Sequence, residues 1–185
     1  PSLGAELARG GIIALGVALA AQFLYLAFRF RWTLGAGAVA ALLTNALVVV
    51  GVFAWTGRTA DGVFLAALLT VIGYSVNDTV VVFDRVREHW ARDAKAPFHR
   101  AVGSAVLSTL PRTVNTGIST LTILVMLLFL GGATLGDFAL ALIVGIVVGT
   151  VSTIVVAGPV SILLQQRWTG PAPRTSGAKQ PVGKA

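Results

Sequence analysis

Asp78 is the residue of this sequence whose type and position most strongly suggest chemistry. It lies inside the apolar run 71–82, together with the polar residues Asn77 and Thr79. An aspartate at bilayer depth costs at least ~2.5 kcal/mol, so such a residue usually faces the interior of a helix bundle and has a function. A partly desolvated carboxylate near a cation can take up and release a proton. We therefore predict that Asp78 transports protons.

Arg112 is the expected cationic partner of Asp78. It follows Pro111, which suits the first position of a helix. Asp78 would lie about 8 Å inside the end of its own helix, at 1.5 Å per residue. Arg112 would enter the membrane from that same side, so the two side chains can meet. The pair would either transfer protons or form a static ion pair that only fixes helix packing.

Polar residues after Arg112 share one face of its predicted helix. Asn115, Thr116 and Ser119 come three, four and seven positions later, which is the spacing of a helical stripe. A polar stripe on an otherwise apolar membrane helix must face other helices or water, not lipid. We expect this stripe, with Asn77 and Thr79, to support water around the proton-carrying pair.

Other kinds of site are poorly represented in the sequence. There is no cysteine, and His89 and His99 are the only histidines, which argues against a metal site. No glycine-rich phosphate loop and no hydrolase-like arrangement of Ser, His and Asp occurs. Thr44 and Asn45, in another apolar run, are more typical of a helix-packing hydrogen bond than of catalysis. The prediction is no enzyme activity, no metal and no cofactor.

The composition predicts that membrane-spanning helices position these residues. Of the 185 residues, 56% are hydrophobic and only 11% are charged, whereas a soluble domain has about 25% charged residues. A spanning helix needs about 20 largely apolar residues. Five segments qualify, at about 10–28, 33–55, 62–83, 113–130 and 138–164. The predicted fold class is therefore an all-α membrane protein, a bundle of about five transmembrane helices.

The basic residues predict the orientation of this bundle. Only Arg9 and Arg58, of 14 Lys and Arg residues, fall on one side of the five spans. The side rich in Lys and Arg is cytoplasmic in membrane proteins. The N-terminus of the chain is therefore expected outside and the C-terminus in the cytoplasm. The same rule accounts for the net charge of +7 without a nucleic-acid partner.

The longest predicted loop, 84–111, is cytoplasmic and has two parts. Its first part, 84–95, is highly charged and is predicted to extend the third helix, with Glu88 and Arg92 able to pair one turn apart. Pro97 then begins a segment whose apolar residues recur at helical spacing. This pattern predicts a separate amphipathic helix that lies at the cytoplasmic interface of the membrane.

The last part of the sequence differs in composition from the rest. Residues 169–185 are rich in Pro, Gly, Lys and Ser, which is typical of a disordered, basic cytoplasmic tail. The transmembrane domain is therefore expected to cover 1–168. Within it, Gly145 and Gly149 in the fifth span predict a close contact between helices.

The run 73–88 around Asp78 reads GYSVNDTVVVFDRVRE. It is similar to the signature of the SecF family, membrane subunits that accompany the bacterial Sec translocon. The run TLPRTVNT, with Arg112 at its centre, resembles the Ser-Arg-Thr-x-Asn-Thr stretch of the family. Residues 138–150 resemble its last span. The resemblance extends over about 4–168.

The resemblance implies a fold related to the membrane domain of the resistance–nodulation–division transporters. It implies that the protein works with SecD beside the SecY–SecE–SecG channel, surrounded by the lipids of the bacterial inner membrane. The implied activity is late translocation of exported preproteins, driven by the proton-motive force. In the family an intramembrane Asp and an intramembrane Arg are needed for proton passage, and these positions fall on Asp78 and Arg112.

This interpretation leaves some points open. SecF has one more span and a periplasmic domain before the region seen here, and the chain begins at Pro1, so we expect it to be a piece of SecF or of a fused SecDF. Many relatives have His-Asp in place of Thr44-Asn45, where this chain has no titratable group. The coupling ion, H⁺ or Na⁺, stays open. The alternatives are a proton-coupled exporter of small molecules or lipids in the same superfamily and a passive scaffold subunit.

Overall fold

The computed structural model describes residues 2–30, 32–92 and 97–168, and every regular element in this part of the chain is a helix. The predicted disordered tail lies outside the described residues, as do Arg31 and 93–96. The elements are α1 (Ser2–Arg29), α2 (Trp32–Trp55), α3 (Gly62–Arg92), α4 (Phe98–Leu130), α5 (Gly132–Ser152), a π-helical turn (Thr153–Ala157) and α6 (Gly158–Trp168).

Five helical stretches are long and apolar enough to cross a membrane, which confirms the predicted fold class. They are α1 to α4 and the continuous stretch Gly132–Arg167, in which the π-helical turn joins α5 to α6. In their most apolar windows, 44% of the residues of α2, α3 and the α5–α6 stretch are buried, against 17% for α1 and 6% for α4. Helices α2, α3 and α5 therefore form the centre of the bundle, and α1 and α4 lie at its edge.

The charged extension of the third helix is confirmed. Helix α3 has 31 residues, well beyond the about 20 that cross a bilayer. Near its end Glu88 accepts hydrogen bonds from both Arg85 and Arg92. The predicted Glu88–Arg92 pair therefore forms, and a second arginine joins it. These exposed contacts lie on the part of α3 that comes after its apolar stretch.

The predicted separate amphipathic helix is wrong. Residues 98–110 are the first turns of α4, which continues without a break to Leu130. Pro111 consequently lies inside this helix and not at the first position of a new one. Proline disfavours a helix interior because it lacks an N–H and its ring crowds the carbonyl four residues earlier. Tertiary packing of the turns before Pro111 overrides this local preference.

The apolar face of 98–110 packs inside the protein and not on the membrane surface. Val102 and Ala105 are buried in one cluster with Phe83 and Val86 of α3. Fully burying a valine is worth about 1.5–3 kcal/mol. Several such contacts exceed the roughly 3 kcal/mol that a proline costs in a helix interior. The prediction of an amphipathic pattern in 98–110 was correct, but the apolar side of this segment packs against α3.

The fifth membrane-length stretch is longer than the predicted span 138–164. Helix α5 begins at Gly132, so most of the residues between the predicted fourth and fifth spans are already helical. The tight turn from α4 to α5 is possible because Gly132 has φ 71°, a conformation that side chains other than glycine rarely adopt. The π-helical turn in the middle of the stretch was not predicted.

The start of α3 gives a prediction about stability. Asp61 Oδ1 accepts a hydrogen bond from the backbone N–H of Phe64 at 2.9 Å, which caps the first turn. We expect Asp61→Ala to destabilise the full-length protein by about 0.5–2 kcal/mol, because this N–H loses its partner. Asp61→Asn should have little effect, since asparagine caps almost as well. Thermal unfolding in detergent checks this, and equal midpoints for the two variants would contradict the capping role.

Candidate functional site

Asp78 is half-buried in α3, and its carboxylate contacts α4. The hydroxyl of Thr113 donates a hydrogen bond to Asp78 Oδ1 at 3.2 Å. This contact joins two membrane-length helices through a carboxylate and a hydroxyl. The sequence correctly located Asp78 at a contact between helices, but it did not identify Thr113 as the residue that bonds to it.

Arg112 does not form the direct pair with Asp78 that the sequence left open. No ion pair of 4.0 Å or less joins these two residues, both of which the structure describes. The guanidinium is nevertheless close enough to attract the carboxylate electrostatically. Arg112 is exposed and lines an open cleft of about 280 Å³ with Arg29 and Asp84, among others. A static Asp78–Arg112 ion pair is therefore not a feature of this structure.

A small cavity of about 10 Å³ lies beside Asp78. Its volume is close to the minimum that one water molecule needs. The wall is unusually rich in hydroxyl-bearing residues from α4 and α5 for a site between apolar helices. The lining residues are Asp78, Val82, Val106, Thr109, Leu110, Thr113, Thr150, Thr153 and Ile154. The cavity therefore offers a carboxylate several hydroxyl neighbours in a space that excludes larger ligands.

The two polar neighbours of Asp78 have different environments. Asn77 is exposed on α3, whereas Thr79 is 1% exposed and points into the bundle. The Thr79 hydroxyl lies 3.2 Å from the hydroxyl of Thr153 and also donates to the carbonyl of Ser75 at 2.9 Å. Of the two predicted supporting residues on α3, only Thr79 takes part in the interior polar contacts.

The predicted polar stripe on α4 is not buried among the described helices. Asn115, Thr116 and Ser119 are all exposed, and the Ser119 hydroxyl donates to the carbonyl of Asn115 on its own helix. The structure thus brings Asp78, Thr79 and Thr113 together and leaves the stripe on the outer surface of the chain. Whether the stripe supports water stays a prediction.

A second buried polar contact joins α2, α3 and α5. Asn45 Nδ2 donates to Ser75 Oγ at 2.7 Å, and Asn45 is fully buried. A Cβ built at Gly149 would overlap Ser75 Oγ and lie 2.8 Å from Asn45 Nδ2. The predictions of a helix-packing hydrogen bond at Asn45 and of a close contact at Gly149 are confirmed. Thr44 instead bonds to the carbonyl of Ala40 on its own helix.

Four hydroxyl-bearing residues near Asp78 were missed in the sequence, namely Thr109, Thr113, Thr150 and Thr153. Thr113 comes directly after Arg112, and its position four residues after Thr109 could have suggested a hydroxyl pair on one helix face. Thr153 follows Thr150 and Ser152 closely in an otherwise apolar run. Hydroxyl-bearing residues are common in membrane helices, so this grouping carries no comparable signal. The position of Thr153 became evident only from the way α5 packs on α3.

These residues combine one ionisable side chain with several hydroxyl groups between membrane-length helices. Asp78 carries the only titratable side chain among the residues that line the cavity. Thr113 donates a hydrogen bond to it, and hydroxyls can both donate and accept. Arg112 attracts the carboxylate from a distance, without a short ion pair. The carboxyl group therefore has hydrogen-bonding neighbours in both its ionised and its protonated form.

Comparison with known proteins identifies relatives of this chain. SecF from Rhodothermus marinus is 43% identical over 173 residues, which are 90% of this chain and 56% of that protein. SecF from Vibrio alginolyticus is 42% identical, over 89% of this chain and 52% of that protein. Both are named protein translocase subunits. The chain thus spans about half the length of these SecF relatives.

A solved structure agrees with this likeness, and so does a family model. SecDF from Thermus thermophilus, described as a translocon-associated membrane protein, superposes with a TM-score of 0.84 at 41% identity, covering 90% of this chain and 23% of that one. Residues 1–167 match the family model described as protein export membrane protein SecD/SecF, C-terminal. The chain therefore belongs to the SecD/SecF C-terminal family of protein export membrane proteins.

Proposed function

We propose that this chain is the proton-conducting membrane part of a Sec export subunit of the SecF type. In this proposal it works with SecD beside the SecY–SecE–SecG channel and uses the proton-motive force for late translocation of preproteins. The names of its relatives support the Sec assignment. The observation that carries the proton role is Asp78, a half-buried carboxylate in a membrane-length helix, which accepts a hydrogen bond from Thr113.

Asp78 alternates between an ionised and a protonated form in this mechanism. The ionised form accepts the hydrogen bond of Thr113 and is attracted by Arg112. The protonated form loses the attraction to Arg112, so the balance of forces between α3 and α4 changes. Since these two helices contact each other through Asp78 and Thr113, their relative position depends on the protonation state. Through this dependence, proton passage would move those parts of the full-length protein that lie outside the membrane.

The surface of α4 supports a membrane partner for this chain. Its exposed residues include the polar stripe Asn115, Thr116 and Ser119 beside large apolar side chains such as Ile118 and Ile123. A polar stripe of this kind is unfavourable against lipid tails. In the complete machine we place the membrane helices of SecD against it. Lipids cover the remaining apolar surface.

The proposed location is the bacterial inner membrane, as a multi-pass protein without enzymatic activity. The N-terminus of the chain lies outside and its C-terminus in the cytoplasm, because most Lys and Arg residues flank the spans on one side. The charged end of α3, with its Arg85–Glu88–Arg92 contacts, then projects into the cytoplasm.

An export assay in cells tests the proposal. Cells depleted of their own SecF are supplied with the full-length parent protein, and secretion of a reporter preprotein is measured with and without a protonophore. We expect the parent to restore export, and the restored part to disappear with the protonophore. A parent protein that reaches the membrane without restoring export would contradict the proposal. Efflux of dyes from the same cells, without an effect on export, would favour the small-molecule exporter.

A further inference from the structure

Thr79, the residue after Asp78, contacts the π-helical turn, which has no role in the proposed function. Thr79 and Thr153 are both almost fully buried, at 1% and 4% exposure, and their hydroxyl oxygens lie 3.2 Å apart. Thr153 also donates to the carbonyl of Gly149 at 2.9 Å. This contact links α3, one residue past the carboxylate, to the first residue of the π-helical turn.

The π-helical turn begins at Thr153, whose own backbone N–H still makes the α-helical hydrogen bond to the carbonyl of Gly149. Gly145, Gly149 and Thr153 are spaced by four residues along the α5–α6 stretch. In a regular α-helix each step of four residues rotates the side chain by about 40°, so such a series gradually leaves the interface. A π-helical turn contains an additional residue and reorients the helix on its C-terminal side. Here it begins at Thr153, which still faces α3, as Gly149 does through Ser75.

Beyond the turn, buried side chains of the same helical stretch contact α2. Ser161 is fully buried and lies against Gly37 of α2, and Gln165 accepts a hydrogen bond from Thr33 of α2 at 3.2 Å. The π-helical turn therefore lies where the contact of this stretch with α3 ends, whereas its contact with α2 continues on both sides. π-Helical turns are rare and occur frequently at functional sites. In this protein the turn lies directly at the Asp78 cavity, whose wall includes Thr153.

The hydroxyl pair has two equivalent arrangements. Each hydroxyl carries one proton, and the contacts available to the pair are the Ser75 carbonyl, the Gly149 carbonyl and the contact between the two hydroxyls. Either Thr79 donates to Thr153 while Thr153 donates to Gly149, or Thr153 donates to Thr79 while Thr79 donates to Ser75. Both arrangements keep the oxygens in place, so the pair holds α3 against α5 without fixing one direction of donation.

We propose that Thr153, at the start of the π-helical turn, is a positioning residue for Asp78. It acts through Thr79, because their contact fixes the rotation of α3 about its own axis near Asp78. Thr153 also forms part of the wall of the cavity beside Asp78. The inference rests on the proposed proton role for Asp78, since positioning matters for export only if the carboxylate takes up and releases protons. The placement of Asp78 itself can be measured independently of export.

The test uses the full-length parent in membranes and a hydrophobic carbodiimide, which reacts with protonated carboxyl groups. The rate of Asp78 labelling is measured by mass spectrometry at one fixed pH. Thr153→Val removes the hydroxyl with little change in shape, and we expect the rate to change by about twofold to tenfold, as for the loss of one hydrogen bond. Thr153→Ser keeps the hydroxyl and should label like the native protein.

Thr122→Val is the matched control, because Thr122 is an exposed hydroxyl that bonds only to the carbonyl of Ile118 on its own helix. In this variant Asp78 should be labelled at the native rate.

A native rate of Asp78 labelling in Thr153→Val, even with a lowered unfolding temperature, would overturn the proposal and leave Thr153 a packing residue. Export is measured in parallel. Altered labelling in Thr153→Val, combined with normal export in Asp78→Asn, would uphold the positioning role and reject the proton role.

Discussion

Asp78→Asn is expected to abolish the part of preprotein export that depends on the proton-motive force, while the protein still reaches the membrane. Asparagine has nearly the same shape as aspartate, and its carbonyl oxygen can still accept the hydrogen bond from Thr113. It cannot ionise, so the attraction to Arg112 and its loss on protonation both disappear. The helix contact survives, but the change of charge does not.

The expected size of this effect comes from the energy of one proton. Each proton that crosses 100 mV supplies ~2.3 kcal/mol. At about 1.4 kcal/mol for each factor of ten, this biases a two-state conformational equilibrium by roughly 50-fold. Removing the proposed coupling group should therefore reduce proton-driven export by a factor approaching this value. The measurement is reporter secretion in SecF-depleted cells that carry the full-length parent protein.

Asp61→Asn is the matched control for Asp78→Asn. It is the same substitution just before α3, where the side chain caps the helix and asparagine can replace it. Export should then equal that of the native protein. If Asp78→Asn also exported normally at normal membrane levels, the proton role of Asp78 would be wrong. The passive scaffold, one of the alternatives that the sequence left open, would then become the better interpretation.

Gly149→Val is expected to have a large effect on stability, because it adds a side chain at a closely packed position of the bundle core. Gly149 is buried where α2, α3 and α5 meet, and even a Cβ there would overlap Ser75 Oγ and crowd Asn45 Nδ2. Overpacking a tight core typically costs 1–3 kcal/mol, occasionally more. The gain in helix propensity on replacing glycine is less than about 1 kcal/mol. Overpacking therefore outweighs propensity, and the valine also separates Asn45 from Ser75.

Gly73→Val provides the control for this substitution. Gly73 lies on α3, is exposed, and has open space around the position where a Cβ would be placed. The same change there should leave the thermal unfolding midpoint of the full-length protein close to the native value. The Gly149 variant should show a midpoint lower by several degrees or fail to accumulate. Similar midpoints for the two variants would show that the close contact at Gly149 does not limit stability.

A compensating pair makes the mechanism of the Gly149 effect testable. Gly149→Ala alone should destabilise through its overlap with Ser75, and Ser75→Gly removes the overlapping atoms. If steric overlap is the cause, the double variant should be more stable than the sum of the single effects predicts, as residues in direct contact are not additive. Strict additivity would show that the two positions do not interact and would contradict the overlap with Ser75 as the cause.

Local composition determined a large part of this protein. The five membrane-length helices result from the length of the apolar runs, because crossing a bilayer requires about 20 residues whose backbone groups bond within the helix. The charged end of α3 and the Glu88–Arg92 pair result from spacing along one helix. Asp78 was recognisable for the same reason, since an acid in an apolar run is costly wherever the helix packs.

Tertiary structure alone decided how these elements meet. Pro111 lies inside α4 because Val102 and Ala105 are buried against α3, a gain that no local preference reports. The hydrogen bond to Asp78 comes from Thr113 and not from its neighbour Arg112, because adjacent residues on a helix point about 100° apart and the packing of α4 selects between them. Which residue reaches the carboxylate depends on helix rotation, and rotation is set by close contacts such as that of Gly149 with Ser75, on helices far apart in the sequence.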